Sequence, residues 1–107
     1  MRVGIDIIKI ARVEKAVRKY GIHGLRVFMS DVEIKHSSMA AQSIAGQWAA
    51  KEAVIKAIGY WIPFTSIEVL KTELGSPYVM INKEAADHIT ISITHDGDYA
   101  VAVAILV

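Results

Sequence analysis

Residues 89–106 carry a two-residue alternation broken once, at Asp96-Gly97. Before the break Ile89, Ile91 and Ile93 alternate with Thr90, Ser92 and Thr94. After it Tyr99, Val101, Val103 and Ile105 alternate with Ala100, Ala102 and Ala104. Successive side chains of a strand point to opposite faces, and Asp-Gly signals a two-residue hairpin loop. The segment therefore predicts antiparallel strands at 89–95 and 99–106. The second strand is apolar on both faces, so neither face is expected to be freely solvated. Its alanine face is shallow and lets a helix or a neighbouring subunit approach closely.

The rest of the chain supplies the cover. Residues 2–8 are rich in Val and Ile and predict a strand. Residues 10–20 predict a helix, with Ile10, Val13, Val17 and Tyr20 at 3-4-3 spacing and Gly21 as its stop. Ser30-Asp31-Val32-Glu33 has the capping-box pattern that starts a short helix. The longest helix is expected over residues 40–58, with Ile44, Trp48 and Ile55 on one side, Gly59 as C-cap and Pro63 barring continuation. Strands at 67–71 and 78–81 flank the turn signals Gly75 and Pro77, and residues 83–88 suit one helical turn. The expected fold is a small α+β domain spanning 1–107, with an antiparallel sheet packed on the helix at 40–58 and Asp6 and Glu52 meeting at one end.

A chain of 107 residues implies one domain, and its 53% hydrophobic content suggests that some apolar surface belongs to a subunit contact. The absence of cysteine removes disulfides, thiolate metal sites and cysteine nucleophiles, and is compatible with a reducing cytosol. Arg2, Asp6 and Lys9 interrupt any signal-peptide pattern. No segment reaches the roughly 18 apolar residues of a membrane span, so a cytoplasmic protein without a membrane partner is expected. Net charge is only +1, yet six of the 12 basic residues (Lys9, Arg12, Lys15, Arg18, Lys19 and Arg26) fall in one segment opposed only by Glu14. That segment reads either as a solvated helix face or as a docking face for an acidic partner. Nucleic acid is disfavoured, because only Tyr20 lies among those charges and base stacking needs several aromatics.

Three constellations carry possible chemistry. Asp6 sits alone inside the apolar run Val3-Gly4-Ile5-Asp6-Ile7-Ile8, and a buried carboxylate is costly unless something pairs with it. It reads either as a strand-end carboxylate paired with a lysine or helix, or as a cation ligand. Glu52 and Lys56 stand at i and i+4 in the favourable order, as an exposed helix pair or as the edge of a site bordering the buried stripe of Trp48 and Ile55. His95 and Asp98 flank the hairpin loop and are expected to face each other, as a surface pair or a ligand contact. His23, His36 and His88 show no metal spacing, and no glycine-rich phosphate loop or Ser-His-Asp arrangement is present.

Four blocks together resemble the small, trimeric type of 4′-phosphopantetheinyl transferase, the holo-[acyl-carrier-protein] synthase family of fatty-acid synthesis. They are Gly4-Ile5-Asp6-Ile7; Trp48-Ala49-Ala50-Lys51-Glu52-Ala53 with Lys56-Ala57; Ile67-Glu68-Val69 leading to Gly75-Ser76-Pro77-Tyr78; and Ser92-Ile93-Thr94-His95 with Asp98-Tyr99-Ala100. The resemblance implies a magnesium-dependent reaction in which the phosphopantetheine arm of coenzyme A moves to a serine of an acyl carrier protein and 3′,5′-ADP leaves. It implies Asp6 and Glu52 as magnesium ligands, and Glu52 and Lys56 as the catalytic pair with Lys56 beside the phosphates. It also implies coenzyme A contacts from His95, Lys51 and Gly59, carrier docking through Arg12 with its neighbours Lys15 and Lys19, and a homotrimer with sites at subunit boundaries. For the serine proton, Glu52, a metal-held water and Lys56 all remain open.

Three features depart from the family pattern. Gln47 stands where an arginine is usual, the connection Lys35-His36-Ser37-Ser38 is short, and the loop after the long helix is reduced to Gly59-Tyr60-Trp61-Ile62-Pro63. All three positions normally help to hold coenzyme A. The alternative reading is therefore a non-catalytic oligomeric binding module on the same scaffold, and saturable coenzyme A binding with magnesium separates the two.

Overall fold

The computed structural model describes all residues, 1–107. Strand β1 (Arg2–Lys9) leads directly into helix α1 (Ile10–Leu25), followed by α2 (Asp31–His36) and α3 (Ala41–Ile58). A short 3-10 turn at Phe64–Ser66 precedes β2 (Ile67–Lys71), β3 (Pro77–Ile81), β4 (Glu84–Ala85), β5 (Ile89–Asp96) and β6 (Tyr99–Leu106). The strands form two three-stranded antiparallel sheets, ordered β1-β6-β5 and β2-β3-β4, instead of one.

Local chemistry explains most boundaries. Gly21 breaks α1 with φ 64° and ψ −158°, so the helix runs through Tyr20, kinks, and resumes for one turn. Ser30 and Glu33 form the complete capping box of α2. Gly59 ends α3 in the left-handed region at φ 88°, with its N–H bonded to the Ile55 carbonyl. Residues 83–88 do not form the expected helical turn. Asn82 and Lys83 both take positive φ, as a type I′ loop demands, and turn the chain into the β3–β4 hairpin. The β5–β6 loop is Gly97-Asp98, one residue later than read from the sequence, because Asp96 pairs with Tyr99.

Helix α3 is the centre of the molecule and packs across β1, β6 and β5. Its contact surface is made mainly of alanines, with Ala45, Ala49, Ala50, Ala53 and Ala57 buried beside Ile44 and Val54, while Trp48 and Ile55 are only half-buried at its edges. Small side chains on both partners let helix and sheet approach closely. The alanine face of β6 (Ala100, Ala102, Ala104) is accordingly sealed under the protein's own helix, not offered to another subunit.

The opposite sheet face is the open one. Antiparallel register aligns Val3 with Ile105, Ile5 with Val103 and Ile7 with Val101 on that face. Val3, Ile5 and Ile7 are each more than half exposed. No helix is long and apolar enough to cross a membrane.

Candidate active site

The site begins with an absent side chain. At Gly4 a Cβ would overlap the Ala53 carbonyl oxygen and lie 2.8 Å from the Ala57 amide nitrogen, so β1 crosses α3 at a distance only glycine permits. Two residues on, Asp6 points to the same side of the sheet and meets the last turns of α3. Lys56 Nζ donates to Asp6 Oδ1 at 3.1 Å and to the Ile5 carbonyl at 2.9 Å. The Asp6 side chain is 16% exposed, and its second oxygen, Oδ2, is buried with no hydrogen-bond partner. Glu52 lies one turn before Lys56, half-buried, and its carboxylate makes no hydrogen bond or salt bridge.

A buried carboxylate oxygen without a donor is costly, and a cation relieves that cost. No three acidic or histidine side chains gather anywhere as a metal cage. A cation held here by Asp6 and Glu52 would complete its shell with water and substrate oxygens. That is the usual magnesium arrangement of one or two carboxylates plus phosphate, so the donor set fits this ion.

A cavity of about 830 Å³ opens on the other side of α3. It is bounded by α2, the first turns of α3, the β2–β3 hairpin and the end of β5. His36, Lys71 and His95 line it, with the amides of Gln42 and Gln47. Its one carboxylate, Glu33, is already engaged by Lys51, the Ser30 N–H and the Val69 N–H. The side chains left to meet a ligand are therefore neutral or basic, which suits an anion. Asp6, Glu52, Lys56 and Gly59 do not line this cavity.

Sheet register explains the separation. On the helix-facing side, Asp6 aligns with Ala102 and Ile93, and Ile8 aligns with Ala100 and His95. Asp6 and His95 thus occupy opposite edge strands, two strand spacings or about 10 Å apart across the sheet. Helix α3 lies over the strands between them, with Gly46 against Ile93 on one flank and Ala53 against Gly4 on the other.

Lys51 corrects its expected role as a coenzyme A contact. Its side chain is fully buried, and Nζ donates to Glu33 Oε1 at 2.6 Å, to the Phe64 carbonyl at 3.0 Å and to the Phe28 carbonyl. All three ammonium donors are used, so none can reach a ligand. Burial pushes the Lys51 pKa below its usual 10.5, opposed by the charges of Glu33 and Glu68. Sequence reasoning missed the other half of this pair. Glu33 was legible only as a helix cap, yet it ties α2 to β2 and α3. Ser30 Oγ extends the network to Glu68 at 2.7 Å, and Glu68 meets Lys83 at 3.3 Å.

The remaining candidates divide by location. Gly59 is exposed at the Lys56 end of α3, where a side chain would run into the Arg2 guanidinium. His95 pairs across the hairpin with Ala100, so it does not face Asp98, which lies in the loop and whose main-chain carbonyl accepts a bond from the Ile10 N–H at 2.9 Å. Arg12, Lys15 and Lys19 are all exposed on α1. The Arg12 guanidinium lies 5.2 Å from the centroid of the Trp48 ring.

Comparison with known proteins shows the family. The profile of the 4′-phosphopantetheinyl transferase superfamily matches residues 2–104. The holo-[acyl-carrier-protein] synthase of Sulfurovum sp. (strain NBC37-1) is 41% identical, with 97% of this chain and 94% of that protein aligned. The enzyme of the same name from Helicobacter pylori (strain ATCC 700392 / 26695) is 37% identical over 97% of this chain and 95% of its own. A crystal structure of Helicobacter pylori holo-[acyl-carrier-protein] synthase in complex with coenzyme A superposes with a TM-score of 0.88 at 35% identity, covering 98% of this chain and 99% of that one. The chain belongs to the 4′-phosphopantetheinyl transferase superfamily, in its holo-[acyl-carrier-protein] synthase branch.

Proposed function

We propose that this phosphopantetheinyl transferase moves the 4′-phosphopantetheine arm of coenzyme A to a serine of an acyl carrier protein in the cytoplasm, in a magnesium-dependent reaction, and that residues 1–107 act as one transferase domain. The observation that carries the reading is the Asp6–Lys56 contact with its unpartnered Asp6 Oδ2 and the unbonded Glu52 one turn away. As the serine hydroxyl attacks the phosphorus that bears the pantetheine arm, its proton passes to a base, with Glu52, a metal-held water and Lys56 as the candidates. The bond from that phosphorus to the bridging oxygen breaks, and 3′,5′-ADP departs with the electron pair. Asp6 and Glu52 would hold magnesium, which when bound offsets negative charge on the pyrophosphate. Lys56 sets a fixed ammonium beside the same oxygens, where charge grows as the leaving group departs.

The nucleotide portion belongs in the cavity lined by His36, Lys71 and His95, and Gly59 borders the phosphates at the other end of α3. Since α3 separates these two halves in a single chain, we assign them to neighbouring subunits of a homotrimer. The apolar face of Val3, Ile5, Ile7, Val101 and Val103 is the surface that such a trimer would cover. Arg12, Lys15 and Lys19 form the docking face for the carrier.

Titration with coenzyme A, with and without magnesium, tests the reading together with chromatography of the products. Saturable, magnesium-strengthened binding and carrier-dependent release of 3′,5′-ADP are expected. Absence of coenzyme A binding would favour a non-catalytic module.

A further inference from the structure

Four of the chain's 12 Lys and Arg side chains form ion pairs, and Arg12 is not among them. Arg26 is paired with Asp31, Lys51 with Glu33, Lys56 with Asp6 and Lys83 with Glu68. Arg12 makes no hydrogen bond or ion pair, so the donors of its guanidinium are free for a partner. It is nevertheless held in place, because its guanidinium lies over the Trp48 ring at 5.2 Å. Trp48 stacks in turn on Phe28, with ring centroids 5.0 Å apart and planes inclined by 30°. Phe28 is buried, and its carbonyl accepts from Lys51 inside the Glu33 pair. Arg12 on α1 therefore stands at the end of a continuous stack that is anchored in the core.

We infer that Trp48 is a positioning residue for carrier recognition: its ring fixes the Arg12 guanidinium, whose donors have no partner within the chain, for an acidic carrier protein. The inference rests on the carrier-transfer reading above and deepens it. Trp48 lies one helical turn before Glu52 on α3, so the stack also fixes the docking helix relative to the helix that carries the site. A guanidinium on a flexible stem loses rotamer freedom when it binds, and stacking it beforehand removes part of that cost.

The test is a double-mutant cycle read in the Michaelis constants for carrier and for coenzyme A, with direct binding of apo-carrier measured in parallel by anisotropy. Trp48→Leu should raise KM for the carrier and weaken carrier binding about three- to fivefold, the range of an exposed cation–π contact. KM for coenzyme A should stay within about twofold. Trp48→Phe, which keeps an aromatic face, should recover most of the loss. In an Arg12→Ala background, Trp48→Leu should add nothing. Arg12→Lys, which keeps the charge without the planar fork, should resemble Trp48→Leu even if Trp48→Leu itself folds poorly. Equal effects on both substrates, or additive effects of Arg12→Ala and Trp48→Leu, would overturn the positioning role and leave the transfer chemistry standing. Failure of the native protein to bind any acidic carrier would overturn both.

Discussion

Lys56 and Asp6, 50 residues apart in sequence, meet at 3.1 Å where α3 crosses β1. The contact takes only one carboxylate oxygen and leaves the other buried without a donor. A pair built purely for stability would satisfy both oxygens, because an unpaired buried acceptor cancels much of the gain. The half-satisfied geometry leaves Oδ2 free to meet a cation, as the proposed magnesium-binding role of Asp6 requires.

Replacing Lys56 separates its two roles. The Lys56 side chain is 53% exposed, so its ion pair contributes less than about 1 kcal/mol. Lys56→Met should therefore shift the melting temperature only slightly while lowering kcat about 10²-fold, as loss of one transition-state charge contact does. Unchanged turnover with slightly lower stability would reduce Lys56 to a salt-bridge partner.

Gly4 sets the approach of β1 to α3. Gly4→Ala drives a methyl into the Ala53 carbonyl, and backbone on the receiving side cannot rotate away. A loss of about 3 kcal/mol or more is expected in denaturant unfolding, with activity falling further because Asp6 moves with the strand. Near-native stability and rate would show that the strand has slack the structure denies.

Removing Glu33 exposes the balance around Lys51. Glu33→Gln leaves a buried ammonium without its counter-charge and should cost about 3–5 kcal/mol. The pH dependence has a defined sign. Burial already lowers the Lys51 pKa from 10.5, and losing Glu33 lowers it more. Between the folded pKa and 10.5 the unfolded chain binds a proton that the folded chain does not, so stability rises with pH across that window. The deficit of Glu33→Gln relative to the native protein should shrink as pH rises toward 10.5 in urea titrations, and a deficit independent of pH would contradict a charged Lys51.

The open face of the β1-β6-β5 sheet predicts assembly. Light scattering should give about three times the 11.7 kDa chain mass. Val103→Glu, at the middle of that face, should dissociate the protein and abolish activity, whereas Ala102 cannot report on assembly because it is buried under α3. Chains carrying Asp6→Asn mixed with chains carrying His95→Ala should recover part of the native activity, because each supplies the half the other lacks. A fully active monomer, or mixtures as inactive as their components, would remove the shared site.

Much of this was legible in the sequence, for physical reasons that differ by element. The capping box at Ser30 and Glu33, the glycine stop at Gly59 and the alternation of residues 89–106 are local signals, and local geometry obeyed them. The contents of the core were less legible. The alanines of α3 are its contact surface, because tightness there is set by what the sheet presents, and β6 presents alanines too. Lys51 falls three residues after Trp48 and four before Ile55, on the stripe read as buried, so its position did signal burial. Its partner lies 18 residues away on another helix, and no spacing rule pairs them. The hairpin at Asn82 and Lys83 was missed because Asn82 favours positive φ only weakly beside glycine and Lys83 does not favour it at all.

The mass of an acidic apo-carrier after incubation with coenzyme A and magnesium tests the account most directly. The native protein should add one phosphopantetheine to the carrier. Asp6→Asn and Glu52→Gln, folded to native-like melting temperatures, should each slow that addition by about 10²-fold or more at saturating magnesium. A carrier left unmodified by the native protein, or modified at near-native rate by either variant, would contradict the assignment of these two carboxylates to the transfer.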